Sequence, residues 1–373
     1  MSKSYTPGLK VLKNTKVTKD RLLPLKGKVY VNLEDSVESN TIVASTEIPG
    51  NVHMLNIANK LNIDADQILD CMLVKEEDYV SKNQIIAQNK GIFGLFKSEI
   101  KSPIDGQIMN ISKITGQAVI AEKPLPINVD AYIPGTVMNI YTKEGVSINS
   151  LGTFIQGIIG IGGEKKGIIK ILVKNPSDKI NASMIDANLK DKIIICGSYI
   201  DYDIYQKAKE IGVKGIVCGG IDYNTISKIL GYSLGVAITG TENTTTLILT
   251  EGFGEINMAE RTFNLLKGNE GKTASINGAT QIRAGVLRPE IFIASNDDSH
   301  SQDFSEEDLI ISKGSIVRVI REPHFGKLGK ITNLPYELVE MKSETKVRVA
   351  EVEFDDGRKE IVPRANLEVI LSN

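Results

Sequence analysis

Hydrophobic positions in the middle of the chain form two alternating patterns, short continuous apolar runs and apolar residues at helical spacing. The continuous runs predict short buried strands, whereas apolar residues spaced three and four positions apart predict amphipathic helices. The runs lie at residues 192–197, 215–218, 235–239 and 247–250, and the helical patterns lie at residues 202–211, 224–230 and 257–266. Because strands that alternate with helices pair in parallel, residues 156–294 are predicted to form a central α/β domain with a small, mostly parallel sheet.

Residues 1–155 show a different pattern, in which apolar and polar residues alternate over short stretches separated by glycine-containing or acidic turns. Four stretches share this plan and predict hairpins, at residues 27–44, 73–87, 106–120 and 135–148. A single hairpin is marginally stable in water, so several hairpins must surround a common core. A helical insertion is predicted at residues 56–73. The pattern therefore predicts a β-rich N-terminal domain.

Two neighbouring stretches of this domain carry a family resemblance. The sequences LVKEEDYVSKNQIIA at residues 73–87 and IKSPIDGQIMNI at residues 100–111 resemble barrel-sandwich hybrid domains, the fold of biotinyl and lipoyl carriers. They look closest to the N-terminal domain found in one subunit of Rnf-type electron-transport complexes. Carriers of this fold present a modified lysine near the position of Leu95, whereas Lys97 lies two residues out of that register. We therefore expect the fold without a modified Lys97, and the absence of iron-sulfur cysteine clusters implies no cofactor.

The last part of the chain begins after an acidic, serine-rich linker at residues 295–309, whose composition favours a flexible tether. The sequence KGSIVRVIREPHFGKLGKIT at residues 313–332 resembles the KOW motif of NusG-type transcription factors and several ribosomal proteins. Apolar alternation at residues 347–354 and 358–368 continues the pattern. The resemblance implies an SH3-like β-barrel at residues 310–373, completing an α+β multidomain fold. Barrels of this family bind RNA, protein, or both.

The first hairpin of the predicted barrel carries a local charge of +4, although the whole domain is nearly neutral. Backbone phosphates attract such a cluster, and aromatic rings at the turn can stack on a base. The candidate nucleic-acid contacts are Arg318, Arg321, His324, Phe325, Lys327 and Lys330. Protein docking and a purely structural barrel are the alternative interpretations.

A second candidate site follows the strand predicted at residues 247–250. Thr250 and Glu251 lie just past its C-terminal end, which is where open α/β sheets place their ligands. Arg283 and Arg288 could clamp a small anion there. In the alternative interpretation, Glu251, Arg283 and Arg288 form ion pairs that hold a β segment against the sheet.

Composition limits the remaining functions. The net charge is -2, so no overall field draws the protein toward nucleic acid or anionic lipid. The 3 cysteines lack metal-ligand spacing, and the 3 histidines are scattered outside any catalytic motif. No apolar targeting segment or bilayer-length run occurs, which favours a cytoplasmic location without membrane contact. The sequence thus predicts a non-catalytic binding or scaffold protein that engages RNA or the transcription or translation machinery, with a small-molecule-binding or enzymatic central domain as the rival hypothesis.

Overall fold

The computed structural model describes most of the chain. The described residues are 9–89, 98–232, 237–238, 244–281, 287–295, 311–319, 323–324, 327–341, 346–354 and 356–372. Strands hold 47 % of the described residues and helices 15 %, so the described part is a strand-rich α+β structure with several sheets. The linker at residues 295–309 and Lys97 lie outside the described residues, apart from Ser295.

The N-terminal part consists mainly of short strands. The elements are β1 (Leu9–Leu22), β2 (Lys28–Val29), β3 (Ser36–Val37), β4 (Ile42–Ile48), β5 (Val52–Asn56), α1 (Ile57–Leu61), α2 (Ile68–Cys71), β6 (Tyr79–Val80), β7 (Ile85–Gln88), β8 (Glu99–Lys101), β9 (Gly106–Ser112), β10 (Gln117–Ala121), β11 (Leu125–Asp130), β12 (Gly135–Tyr141) and β13 (Gly145–Gln156). The pairs β9–β10 and β12–β13 are antiparallel, which confirms the hairpins predicted at residues 106–120 and 135–148.

The structure refines two other predictions for this part. The two ends of the stretch at residues 73–87 come together, because the Leu73 amide donates to the Ile86 carbonyl oxygen at 2.8 Å and Met72 forms an antiparallel bridge with Ala87. Between these ends, however, β6 pairs with β9 and β7 pairs with β8. The helical insertion predicted at residues 56–73 is confirmed, but it is divided into short helices because Asn62 ends α1 in the left-handed conformation at φ 53°. A residue in that conformation stops the helix, and the chain must start again before α2.

The central part contains the α/β elements. They are β14 (Ile159–Ile161), β15 (Glu164–Ile171), β16 (Lys192–Ile195), α3 (Tyr202–Ile211), β17 (Gly215–Ile221), α4 (Tyr223–Leu230), β18 (Ala237–Ile238), β19 (Thr246–Phe253), α5 (Glu260–Lys267), β20 (Thr273–Asn277), β21 (Thr280–Gln281) and β22 (Glu290–Ala294). Helix α3 has the predicted bounds because Asp201 caps its first turn and Gly212 ends it at φ 87°.

The central sheet is mixed. Strands β15, β16, β17 and β19 are parallel neighbours, as their alternation with helices predicted. Strands β14 and β20 pair antiparallel at the two sides of this parallel set, and β22 follows β20. The strand predicted at residues 235–239 lies outside this sheet, because β18 pairs with β21. Cys196 and Cys218 are fully buried beside the parallel strands, where burial raises the pKa of both thiols.

The C-terminal part consists of short antiparallel strands. They are β23 (Ile316–Val319), β24 (Leu328–Asn333), β25 (Val339–Glu340), β26 (Lys346–Val347), β27 (Val349–Phe354), β28 (Lys359–Pro363) and β29 (Leu367–Ser372). Strand β23 pairs with β24 and β29, and β27 lies between β24 and β28. Val317, Ile331, Val352 and Leu367 fill a core of their own between these strands.

One sheet of 16 strands, counted over the described residues, joins the three parts. Strand β13 pairs with β22 of the central part and with β1, and β1 also pairs in parallel with β29 of the C-terminal part. Leu9 and Val11 of β1 belong to the same hydrophobic core as the parallel strands. The first described strand therefore packs with the central sheet, whereas β29, which pairs with it, belongs to the core of the C-terminal part.

Candidate functional site

Four charged side chains meet where the central sheet contacts the C-terminal strands. Arg318 of β23 lies between two carboxylates, donating through Nη1 to Glu251 of β19 and through Nη2 to Glu368 Oε2 of β29 at 2.7 Å. Arg288 donates to the other oxygen of Glu368 at 2.5 Å. The side chains of Arg318, Glu251 and Glu368 are only 4 %, 7 % and 3 % exposed. We call this alternating row of Arg288, Glu368, Arg318 and Glu251 the junction cluster.

The junction cluster balances its own charges. Burial acts to lower the pKa of the Arg318 guanidinium, but the charges of Glu251 and Glu368 and their hydrogen bonds outweigh it, and the pKa is raised. Glu251 Oε1 also accepts a hydrogen bond from the Ala259 amide at 3.0 Å. Because each charge has an opposite partner, the cluster can be buried without an isolated ion.

The predicted ligand residues are thus engaged within the fold. The Thr250 hydroxyl donates to the Cys218 carbonyl oxygen at 3.3 Å, and Glu251 and Arg288 belong to the junction cluster. Arg283 lies outside the described residues. Sequence reasoning missed Glu368, although a glutamate flanked by apolar residues in a predicted strand was a usable signal for a buried charge.

The predicted nucleic-acid residues are divided between the interior and the surface. Arg318 is buried in the junction cluster, whereas Lys327 and Lys330 are exposed. Arg321 and Phe325 lie outside the described residues. Lys313, which precedes β23, is exposed as well.

An open groove of about 960 Å³ lies along β23, β24 and β27, and its charged lining residues are Lys313, Lys330, Lys359, Glu351 and Glu353. Lys313, Lys327 and Lys330 have no carboxylate within ion-pair distance among the described residues. In contrast, Lys359 in the same groove lies 3.6 Å from Glu353. We call Lys313, Lys327 and Lys330 the lysine row.

Two rings lie beside the lysine row. His324 is half-buried, and its ring centroid is 5.2 Å from that of Phe354. Lys327 Nζ lies 5.5 Å from the centroid of the same phenyl ring. Phe354 lines the groove although it is buried, and the half-buried His324 packs against it.

A second basic group lies near the loop after β24. Arg364 donates to the backbone carbonyl oxygens of Pro335 at 2.9 Å and Val349 at 3.0 Å. Burial and the nearby charge of Arg348 lower the pKa of Arg364. Tyr336, next to Pro335, is 89 % exposed. Sequence reasoning missed this group because its members come from three separate stretches of the chain.

The acidic residues of the C-terminal part are mostly paired. The hydrogen bond from Arg358 lowers the pKa of Asp356 to about 2. Glu351 accepts a hydrogen bond from the Thr332 hydroxyl at 2.5 Å. The charge of Lys327 also acts on Asp356. Lys313, Lys330, Arg348 and Arg364 have no carboxylate within ion-pair distance among the described residues.

Within the described ranges, no group of three or more His, Cys, Asp or Glu side chains could hold a metal ion. No helix among the described residues is long and apolar enough to cross a membrane. No protein-family model matches the chain, and no curated protein matches it.

Proposed function

We propose that the protein is a non-catalytic binding protein whose C-terminal part engages RNA. In this proposal residues 310–373 form a KOW-type barrel, residues 156–294 an α/β scaffold, and residues 1–155 a barrel-sandwich hybrid-like domain. The antiparallel order of β28, β27, β24, β23 and β29 around one hydrophobic core supports the barrel. The observation that carries the function is the lysine row.

Unpaired lysines on an open groove favour a polyanionic ligand. A lysine that already forms an ion pair gains little from a phosphate, whereas Lys313 and Lys330 in the groove and Lys327 beside Phe354 form no ion pair with a described carboxylate. Release of those counterions provides most of the affinity in contacts of this kind. Arg318 adds no phosphate contact because its guanidinium is held between Glu251 and Glu368.

Single-stranded RNA fits the groove better than a duplex. The half-buried imidazole of His324 lies beside Lys327, so a base can stack next to a phosphate contact. The exposed ring of Tyr336, with Arg348 and Arg364 near it, offers a second place where a base and a phosphate can bind together. In duplex RNA the base faces are stacked inside the helix, so the protein could contact a duplex only through its phosphates.

The test is binding of a labelled, mixed-sequence single-stranded RNA to the full chain, measured by fluorescence anisotropy at low salt. The wild-type protein is expected to bind with a Kd in the micromolar range, roughly that of non-specific contacts. Changing Lys313→Glu, Lys327→Glu and Lys330→Glu together should abolish binding. A matched control carries Lys60→Glu, Lys113→Glu and Lys209→Glu, three exposed lysines without ion pairs among the described residues, and should bind like wild type.

Salt dependence separates phosphate contacts from other binding. Each lysine lost should flatten the slope of log affinity against log salt by roughly 0.7 on a single strand. Absence of binding by the wild-type protein at low salt would refute the RNA proposal. The lysine row would then be tested as a docking surface for an acidic protein of the transcription or translation machinery.

A further inference from the structure

One row of side chains crosses the open groove of the C-terminal part from strand to strand. Ile316 of β23 pairs with Lys330 of β24, Lys330 pairs with Glu353 of β27, and Glu353 pairs with Lys359 of β28. All four residues line the groove. Because neighbouring strands lie about 4.8 Å apart, an apolar residue, a cation, a carboxylate and a second cation follow one another over about 14 Å.

Glu353 is the more available of the two carboxylates in the groove. Glu351 accepts a hydrogen bond from the Thr332 hydroxyl at 2.5 Å and is 31 % exposed. Glu353 is 44 % exposed, and its ion-pair partner among the described residues is Lys359 at 3.6 Å. Lys359 also lies 4.0 Å from Glu351. An exposed ion pair of this kind contributes little stability, so a ligand can take the place of Lys359 at Glu353.

The carboxylate of Glu353 selects for hydrogen-bond donors. An ionised carboxylate only accepts hydrogen bonds, and its two oxygens suit two donors that lie side by side. Among the RNA bases, guanine alone presents such a pair, N1–H and the N2 amino group, on its Watson–Crick edge. Adenine, cytosine and uracil each place an acceptor beside the donor on that edge. Glu353 therefore matches guanine and is repelled by the acceptor of any other base.

Lys330 provides a phosphate contact beside this carboxylate. Directly opposite residues on antiparallel strands have their Cβ atoms about 5 Å apart, so Lys330 and Glu353 can contact the phosphate and the base of adjacent nucleotides. Ile316, on the other side of Lys330, is 43 % exposed and offers apolar surface to a ribose or a base face. The row thus combines a backbone contact, a base-edge contact and an apolar contact within one groove.

We infer, on the basis of the RNA-binding function proposed above, that the groove prefers single-stranded RNA containing guanine and that Glu353 determines this preference. Glu353 accepts hydrogen bonds from N1–H and the N2 amino group of one guanine, while Lys330 holds a neighbouring phosphate. Lys359 remains beside Glu351 when the guanine is bound.

The experiment compares the binding of three labelled hexanucleotides to the full chain by fluorescence anisotropy at low salt. The first alternates guanosine and uridine, the second carries inosine in place of guanosine, and the third alternates adenosine and cytidine. Inosine lacks only the N2 amino group, so this comparison removes one donor and leaves the charge of the RNA unchanged. We expect the guanosine RNA to bind about tenfold more tightly than either of the others, near the lower end of the discrimination that a bidentate contact provides.

A substitution then assigns the preference to Glu353. Glu353→Gln keeps the length of the side chain but replaces one acceptor oxygen with a donor, so the preference for guanosine over inosine should disappear. Loss of a negative charge raises the affinity for all three RNAs, so the ratio of affinities is the measurement. Glu340→Gln, at an exposed glutamate of β25 that does not line the groove, is the matched control and should keep the wild-type ratio.

The outcomes separate a failure of base preference from a failure of RNA binding. Equal affinity of the wild-type protein for the guanosine and inosine RNAs would overturn the guanine preference and leave the RNA-binding function intact. A Glu353→Gln variant that keeps the wild-type ratio would overturn the role of Glu353. No binding of any of the three RNAs at low salt would overturn both the preference and the RNA-binding function. The inosine comparison needs no change to the protein, so it decides even where a variant does not fold.

Discussion

At the scale of single residues, the burial of Arg318 has the largest consequences. Its place in an alternating strand, IVRVI, made it a candidate for phosphate contact, yet the structure holds it between Glu251 and Glu368. Alternation predicts which residues share a face of a strand, but it does not predict whether a carboxylate from another strand covers that face. Lys330 on the neighbouring strand stays in the solvent-exposed groove.

Removal of the Arg318 charge should destabilise the protein strongly. Arg318→Ala leaves Glu251 and Glu368 buried and short of a cation, and loss of one partner from a buried pair typically lowers the free energy of unfolding by about 3 to 5 kcal/mol. Lys330→Ala changes an exposed, unpaired lysine and should shift that free energy by less than about 0.5 kcal/mol. Urea titrations followed by circular dichroism compare the two. Equal, small effects of both changes would contradict the buried cluster.

Tyr205 should make stability depend on alkaline pH. Burial raises its pKa to about 12, and its hydroxyl donates to the Thr245 carbonyl oxygen at 2.9 Å. A pKa above the unfolded value of about 10 means that the folded state binds this proton more tightly. The stability is therefore complete below pH ~10 and is lost as the pH rises toward ~12.

The measurement compares wild type with Tyr205→Phe in urea at pH ~8 and pH ~11. The wild-type free energy of unfolding should fall more between the two pH values than that of the variant, by about 1 kcal/mol. The variant serves as the reference because the other tyrosines and the lysines titrate in both proteins. An identical pH dependence would show that Tyr205 is accessible to hydroxide in the folded protein.

At the scale of elements, local patterns predicted helices and strands better than strand partners. The bounds of α3 agree with the sequence because an N-cap aspartate and a C-terminal glycine define them within the segment itself. Residues 73–87 were predicted to form one hairpin, but β6 and β7 within this stretch each pair with a strand later in the chain. Two short strands expose the same unpaired backbone groups to any neighbour, so their own sequences do not select the partner.

Strand β29 should keep the C-terminal part attached after the chain is cut. It pairs with β1 from Leu9↔Ile370 to Val11↔Ser372, and its Glu368 joins the junction cluster. The acidic linker at residues 295–309 is the predicted cleavage site for a protease. After cleavage there, the two pieces should elute together in size-exclusion chromatography, and Arg318→Ala should weaken their association.

Separate elution of the two wild-type pieces would contradict this prediction. It would mean that the C-terminal part does not bind the rest of the protein once the linker is cut. Cleavage first inside the α/β segment would place the weakest point of the chain elsewhere than the linker. Denaturing electrophoresis of the eluted fractions, with mass spectrometry of the fragments, distinguishes these outcomes.

At the scale of the whole molecule, the net charge does not determine where the protein can bind nucleic acid. The net charge of -2 gives no general attraction for nucleic acid, so binding depends on where carboxylates leave cations unpaired. That distribution arises from the fold, because Arg318 is neutralised inside and the lysine row is left outside. The 16-stranded sheet found over the described residues also joins parts of the chain that composition alone divides into domains.

The sequence by itself determined the α/β segment, because continuous apolar runs, helical spacing and terminating glycines are properties of neighbouring residues. Only the tertiary structure decided which strands pair across long separations, which charges are buried, and where a cavity forms. Glu251 and Arg318 lie 67 residues apart in the chain, and Arg288 and Glu368 lie 80 apart. Whether such ion pairs form depends on the balance between the desolvation of the charges and their attraction in the folded protein. No local sequence pattern predicts that balance.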